Sequence, residues 1–63
     1  MLKQEGMTAE ARIIFNELSA EPATAGEIAQ ETNLTNENCE FILTQLVMAK
    51  LADLKLGCYT RKS

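Results

Sequence analysis

From Ala9 onward the apolar positions of the chain follow helical rhythms three times and then change period. Ala11, Ile14, Phe15 and Leu18 recur at the three- and four-residue spacing of one helix face. They predict a first helix from about Ala9 to Ser19, capped by Thr8, with Glu10 in the first turn where a carboxylate favours the helix dipole. Ile13 falls on the opposite side of that helix, and a lone outward isoleucine is more often incidental than functional. Pro22 cannot continue a helix and biases Glu21 toward extended backbone, so the chain turns across Ala20 to Ala23. Thr24-Ala25-Gly26-Glu27 then matches a capping box, in which threonine and glutamate each satisfy a free backbone donor, and predicts a short second helix from about Ala25 to Thr32. Met1 to Met7 has no sustained period, contains Gly6 and reads as a flexible lead-in.

The stretch from Glu27 to Leu51 organises the rest. Ile28 and Ala29 face inward from the second helix, Asn33 suits the left-handed backbone that ends it, Leu34 plugs the turn, and Thr35 caps a third helix with Glu37 in its first turn. This is a helix-turn-helix. At about 100° per residue, Cys39, Ile42, Leu43 and Leu46 gather on one face of the third helix, predicted from about Thr35 to Ala49, with Val47 at the edge. The opposite face carries Glu37, Asn38, Phe41, Thr44, Gln45 and Met48. After Lys50 the period becomes that of strands. Leu51 to Lys55 alternates, Leu56-Gly57 signals a turn, and Cys58 to Arg61 returns, predicting a hairpin over about 51–61 with Leu54 and Tyr59 as inward anchors. A lone hairpin is marginal, so this one is expected to pack on the helices and to pair with an extended piece at Ala23-Thr24.

Composition narrows the function classes. A chain of 63 residues allows one domain, here Thr8 to Ser63, near the lower limit for a single apolar core. With 46% apolar and 24% charged residues it reads as an ordinary globule. Neither a bilayer-spanning run nor the basic start and apolar middle of a signal peptide stands out, so the expected location is cytoplasmic. Cys39 and Cys58, with no histidine, cannot complete a four-ligand zinc site, and a reducing compartment leaves them as free thiols. Cys39 is expected to pack as a small hydrophobe; Cys58 reads as packing too, with an intermolecular disulfide or redox response as the alternative. With no histidine, no nucleophile-and-base pair and no phosphate-cradling glycine loop, the chain reads as neither an enzyme nor a binder of cofactor or small-molecule substrate.

Charge placement says more than the net value of −3. Between Ile13 and Ala49 there is no lysine or arginine, while Glu17, Glu21, Glu27, Glu31, Glu37 and Glu40 all fall there. The cations sit at the ends, at Lys3, Arg12, Lys50, Lys55, Arg61 and Lys62. Proteins that grip a phosphate backbone draw most of their affinity from cations, so this division counts against a helix-three groove reader acting alone.

The order helix, helix, turn, helix and hairpin, with Glu27-Ile28-Ala29, Asn33-Leu34-Thr35, Ile42-Leu43, Leu46, Leu51 and Gly57-Cys58-Tyr59, resembles the winged-helix domains of small bacterial transcription regulators. These include the MarR-like group and the short fimbrial-operon regulators, and the likeness covers roughly Ala9 to Arg61. The fold it implies is α+β, mainly α: a three-helix winged helix-turn-helix with a C-terminal β-hairpin wing. It also implies DNA reading by Asn36, Glu37, Asn38, Glu40, Phe41, Thr44 and Gln45, with Lys55 at the wing. Amides such as Asn38 and Gln45 can pair with adenine through two hydrogen bonds, whereas Glu37, Glu40 and Phe41 stand where DNA-binding members usually place arginine, lysine or serine.

Two functions follow from different classes, the first preferred on the family resemblance and the second, its alternative, resting on the charge placement. One is a DNA-associated transcription regulator, acting as a dimer or accessory subunit, with Asn36, Asn38, Thr44 and Gln45 on the third helix and Lys55, Arg61 and Lys62 on the wing; Ile13 or Met1 to Met7 would serve the dimer. The other is a protein-interaction module without direct DNA binding, in which Glu37, Glu40, Phe41 and Met48 meet a basic or apolar partner. Each set has a plainer reading. The wing cations are read first as solvated end charges, and Phe41 first as folding back on the second helix or the wing, because a small domain recruits every aromatic it can.

Overall fold

The computed structural model describes residues 8–62. It is α+β and mainly helical, with α1 (Ala9–Glu17), α2 (Ala25–Thr32), α3 (Asn36–Met48), β1 (Ala52–Lys55) and β2 (Cys58–Arg61) in chain order, laid out as a winged helix. The lead-in read at Met1 to Met7 lies outside the described residues.

Each helix begins where a threonine can accept a backbone hydrogen bond. The Oγ1 atoms of Thr8, Thr24 and Thr35 accept from the backbone N–H groups of Ala11, Glu27 and Asn38, each at 3.1 Å. At α2 the box is complete, because Glu27 Oε1 accepts in return from Thr24 N at 3.0 Å. Asn33 ends α2 in the left-handed region at φ 61°, and Leu34 N–H reaches back to the Ala29 carbonyl.

α1 stops two residues before the periodicity predicts. Leu18 is extended (φ −68°, ψ 143°) and its N–H bonds to the carbonyls of Ile14 and Phe15. The cause is tertiary. Phe15 O accepts from Arg61 Nη2 at 2.8 Å and Ser19 O from Arg61 N at 2.9 Å, so the chain leaves α1 extended along the hairpin.

Ile14, Leu18, Ile28, Ala29, Cys39, Ile42, Leu43, Leu46 and Ala52 form one buried cluster, to which all three helices and β1 contribute. Ala11, Phe15, Leu34, Val47, Leu51 and Tyr59 close its edges. Burial raises the Cys39 thiol pKa, and the neighbouring Glu40 charge adds to the shift.

β1 and β2 are antiparallel, with Ala52 opposite Arg61 and Leu54 opposite Tyr59. Ala23 forms an isolated antiparallel bridge to Tyr59, Ala23 N to Tyr59 O at 3.1 Å and Tyr59 N to Ala23 O at 2.7 Å, so β2 is flanked on both sides as expected. One anchor differs from expectation. Tyr59 packs on the core, but Leu54 is 48% exposed and the buried residue of β1 is Ala52, at 2%. Alternation puts Ala52 and Leu54 on the same face, yet the helices cover only the base of the hairpin, and Leu54, Lys55, Leu56 and Gly57 project into water.

Candidate functional site

The outer face of α3 is built by default, from the positions its packing leaves over. Cys39, Ile42, Leu43 and Leu46 point inward, and the same spacing turns Glu37, Phe41, Thr44 and Met48 outward along one stripe, bordered by Asn38, Glu40 and Gln45. All of these, and Asn36 at the helix start, are exposed. Phe41 is 64% exposed and Met48 76%. The reading in which Phe41 folds back on the second helix or the wing is therefore corrected: α1, α2 and β1 pack on the far side of α3, and Phe41 is not among the described residues packed on the core. Its spacing of seven residues from Met48 makes a pair of large apolar groups two turns apart on a helix without a single lysine or arginine.

The wing cations are not brought to one place. Arg61 lies at the hairpin base against α1, its guanidinium carbon 4.5 Å from the centroid of the Phe15 ring while Nη2 holds the Phe15 carbonyl. Arg61 thereby satisfies a helix-end acceptor and stacks on an aromatic face, two tasks that fix the side chain on its own fold. Lys62 Nζ stands 3.5 Å from Asp53 Oδ1, both half exposed, a surface pair of the kind worth about 0–1 kcal/mol. Lys55, beside the turn, is exposed and makes no ion pair with a described residue. Of the proposed phosphate contacts, then, only Lys55 is unencumbered at the wing tip, and nothing in the sequence announced the docking of Arg61 onto Phe15.

Cys39 is buried in the core as expected, its Sγ 3.5 Å from the Ala25 carbonyl, whereas Cys58 is half buried in β2 outside the core cluster; both are free thiols. Among the described residues no three histidine, cysteine or carboxylate side chains come together as metal ligands, and no helix is long and apolar enough to cross a membrane. No family model, curated protein or solved structure matches the chain.

Proposed function

We propose that this chain is a protein-interaction module whose outer α3 face docks a protein segment carrying apolar side chains framed by lysine or arginine. One observation carries the reading: Phe41 and Met48 stand open to water on a helix whose only charged residues are Glu37 and Glu40. Covering one such side chain is worth about 1.5–3 kcal/mol, while association costs about 4–15 kcal/mol. Two anchors alone do not hold a partner, so the glutamates have to contribute and the complex is expected to be salt-sensitive.

A DNA-associated regulator is the second reading, favoured by the winged-helix layout, by the exposed amides of Asn36, Asn38 and Gln45, and by Lys55 at the wing tip. Specific binders commonly make about 6–10 phosphate contacts. With Arg61 engaged on its own fold and Lys55 and the weakly paired Lys62 as the remaining wing cations, such binding would need a dimer or accessory chain.

The two readings separate in one pair of experiments. A photo-crosslinking residue at position 41 identifies the partner in cells, and a synthetic copy of the crosslinked segment is titrated against the native chain and Phe41→Asp. The interaction reading expects Phe41→Asp to keep its circular dichroism and lose the segment by at least about tenfold, the loss of one well-buried anchor. A Phe41→Asp chain that unfolds, or that binds unchanged, removes the anchor. Generic duplex DNA at low salt should leave the α3 amides unshifted; saturable shifts at Asn38, Gln45 and Lys55 would instead establish the DNA reading.

A further inference from the structure

A second surface lies away from α3. The end of α1, the Ser19–Ala23 segment, one side of α2 and the Tyr59 ring enclose a groove of about 550 Å³, within the range of about 300–1,000 Å³ typical of binding clefts. No α3 residue lines it. Its apolar lining is the exposed Pro22 with the half-buried Ala23 and Tyr59, above the buried Leu18 and Ile28, and paired backbone hydrogen bonds hold Tyr59 to Ala23. Its rim is formed by Glu17, Glu21, Glu27 and Glu31, all exposed, with no cation among the lining residues.

The rim is set against itself. Glu27 and Glu31 are one turn apart on α2, a like-charged spacing that opposes the helix. Glu27 cannot swing away, because its carboxylate holds the Thr24 N–H in the capping box. Glu17 closes the groove from α1, a helix with no basic residue in its last turn to offset its own negative end. A cationic occupant would relieve all of these repulsions together.

The chemistry of that occupant can be narrowed further. The carboxylates do not converge as a metal site, so the positive charges have to arrive separately. A second copy of the chain is a poor donor: each copy carries −3, and its exposed Lys55 is a single cation between Leu54 and Leu56 where the groove calls for an apolar residue between two cations. Pro22, Ala23 and Tyr59 call for an apolar side chain, and the Tyr59 ring can also take a cation beside it. We propose that the groove binds a short segment of a partner protein in which lysine or arginine residues flank an apolar residue.

Tyr59 makes the test direct, since it is the chain's single tyrosine and there is no tryptophan. The probe is an end-blocked Lys-Leu-Arg-Leu-Lys peptide, followed by tyrosine fluorescence and by the amide shifts of Glu21, Glu31 and Tyr59. Saturable binding is expected, weakened on the order of tenfold or more between about 0.01 M and 1 M salt, where the Debye length falls from about 30 Å to 3 Å. The double variant Glu21→Gln/Glu31→Gln should lose most of that binding while melting no lower than the native chain, since it removes like charges from an exposed rim. Glu37→Gln/Glu40→Gln, which alters only the α3 face, should leave the shifts of the groove amides of Glu21, Glu31 and Tyr59, and their midpoint, as in the native chain. Equal loss of the groove-amide shifts in the two double variants would reduce the effect to net charge and overturn the site. Spermidine binding as tightly as the peptide would make the groove a polyamine site instead. Because the α3 face is untouched in the first variant and the groove in the second, failure of this proposal leaves the α3 reading standing, and the converse holds.

Discussion

Leu56 combines two costs in one residue. Its backbone has φ 52°, followed by Gly57 at φ 79°, and its side chain is wholly exposed. Two successive positive φ values in a two-residue hairpin loop make the mirror-image turn that matches strand twist, for which Asn-Gly is the preferred pair. A left-handed leucine costs on the order of 1–3 kcal/mol; it persists because the register is held from the base, by Ala52 in the core and by the Ala23–Tyr59 bridge. Leu56→Asn should therefore stabilise the fold by about 0.5–1 kcal/mol, raising the melting midpoint by several degrees in a domain of this size. A lower midpoint would mean that the leucine makes a contact worth more than the strain. Asn33, left-handed at φ 61°, already has the residue type such a position favours, which is why that turn was legible from sequence while the strain at Leu56 was not.

At the scale of elements, α2 is the weak link and the one with the best local signal. Eight residues are too few to hold a helix in water, so its persistence depends on its cap and on Ile28 and Ala29. Thr24→Ala should cost about 1 kcal/mol in urea denaturation. The loss should also reach Tyr59, since Ala23, next to the cap, carries the bridge to it; faster exchange of the Tyr59 amide would register this. An unchanged denaturation midpoint would mean that packing alone defines the helix start. The α2 and α3 boundaries and the hairpin were readable because caps and periods are written within a few residues. The end of α1 was not: Leu18 and Ser19 can both continue a helix, and what stops it is Arg61, 46 residues away along the chain. The same distance hid the exchange of anchors in β1, since alternation assigns a face to Ala52 and Leu54 alike and only the position of the helices decides which one is covered.

For the molecule as a whole, the buried thiol ties stability to pH. Desolvation first and Glu40 second raise the pKa of Cys39 above its ordinary 9.0, so the native chain keeps that proton to higher pH than the unfolded chain. The unfolded state then binds fewer protons as pH rises through 9.0 toward the native value, and stability falls across that window and not below it. Cys39→Ala should lower stability at neutral pH through lost packing, yet show a shallower decline than the native chain between about pH 8 and pH 10. Parallel declines would assign the alkaline sensitivity to other groups.

What the sequence determined alone is what neighbouring residues can encode: three helices and their threonine caps, the turn at Asn33, a hairpin, the inward stripe of α3, and a middle of the chain without cations. Tertiary structure decided the rest. It left Phe41 and Met48 in water, took Arg61 for the end of α1, set Ala52 rather than Leu54 in the core, and drew Glu17, Glu21, Glu27 and Glu31 around one groove. Each of these depends on which distant element comes to lie against a given face, and helical period, strand alternation and capping carry no record of that.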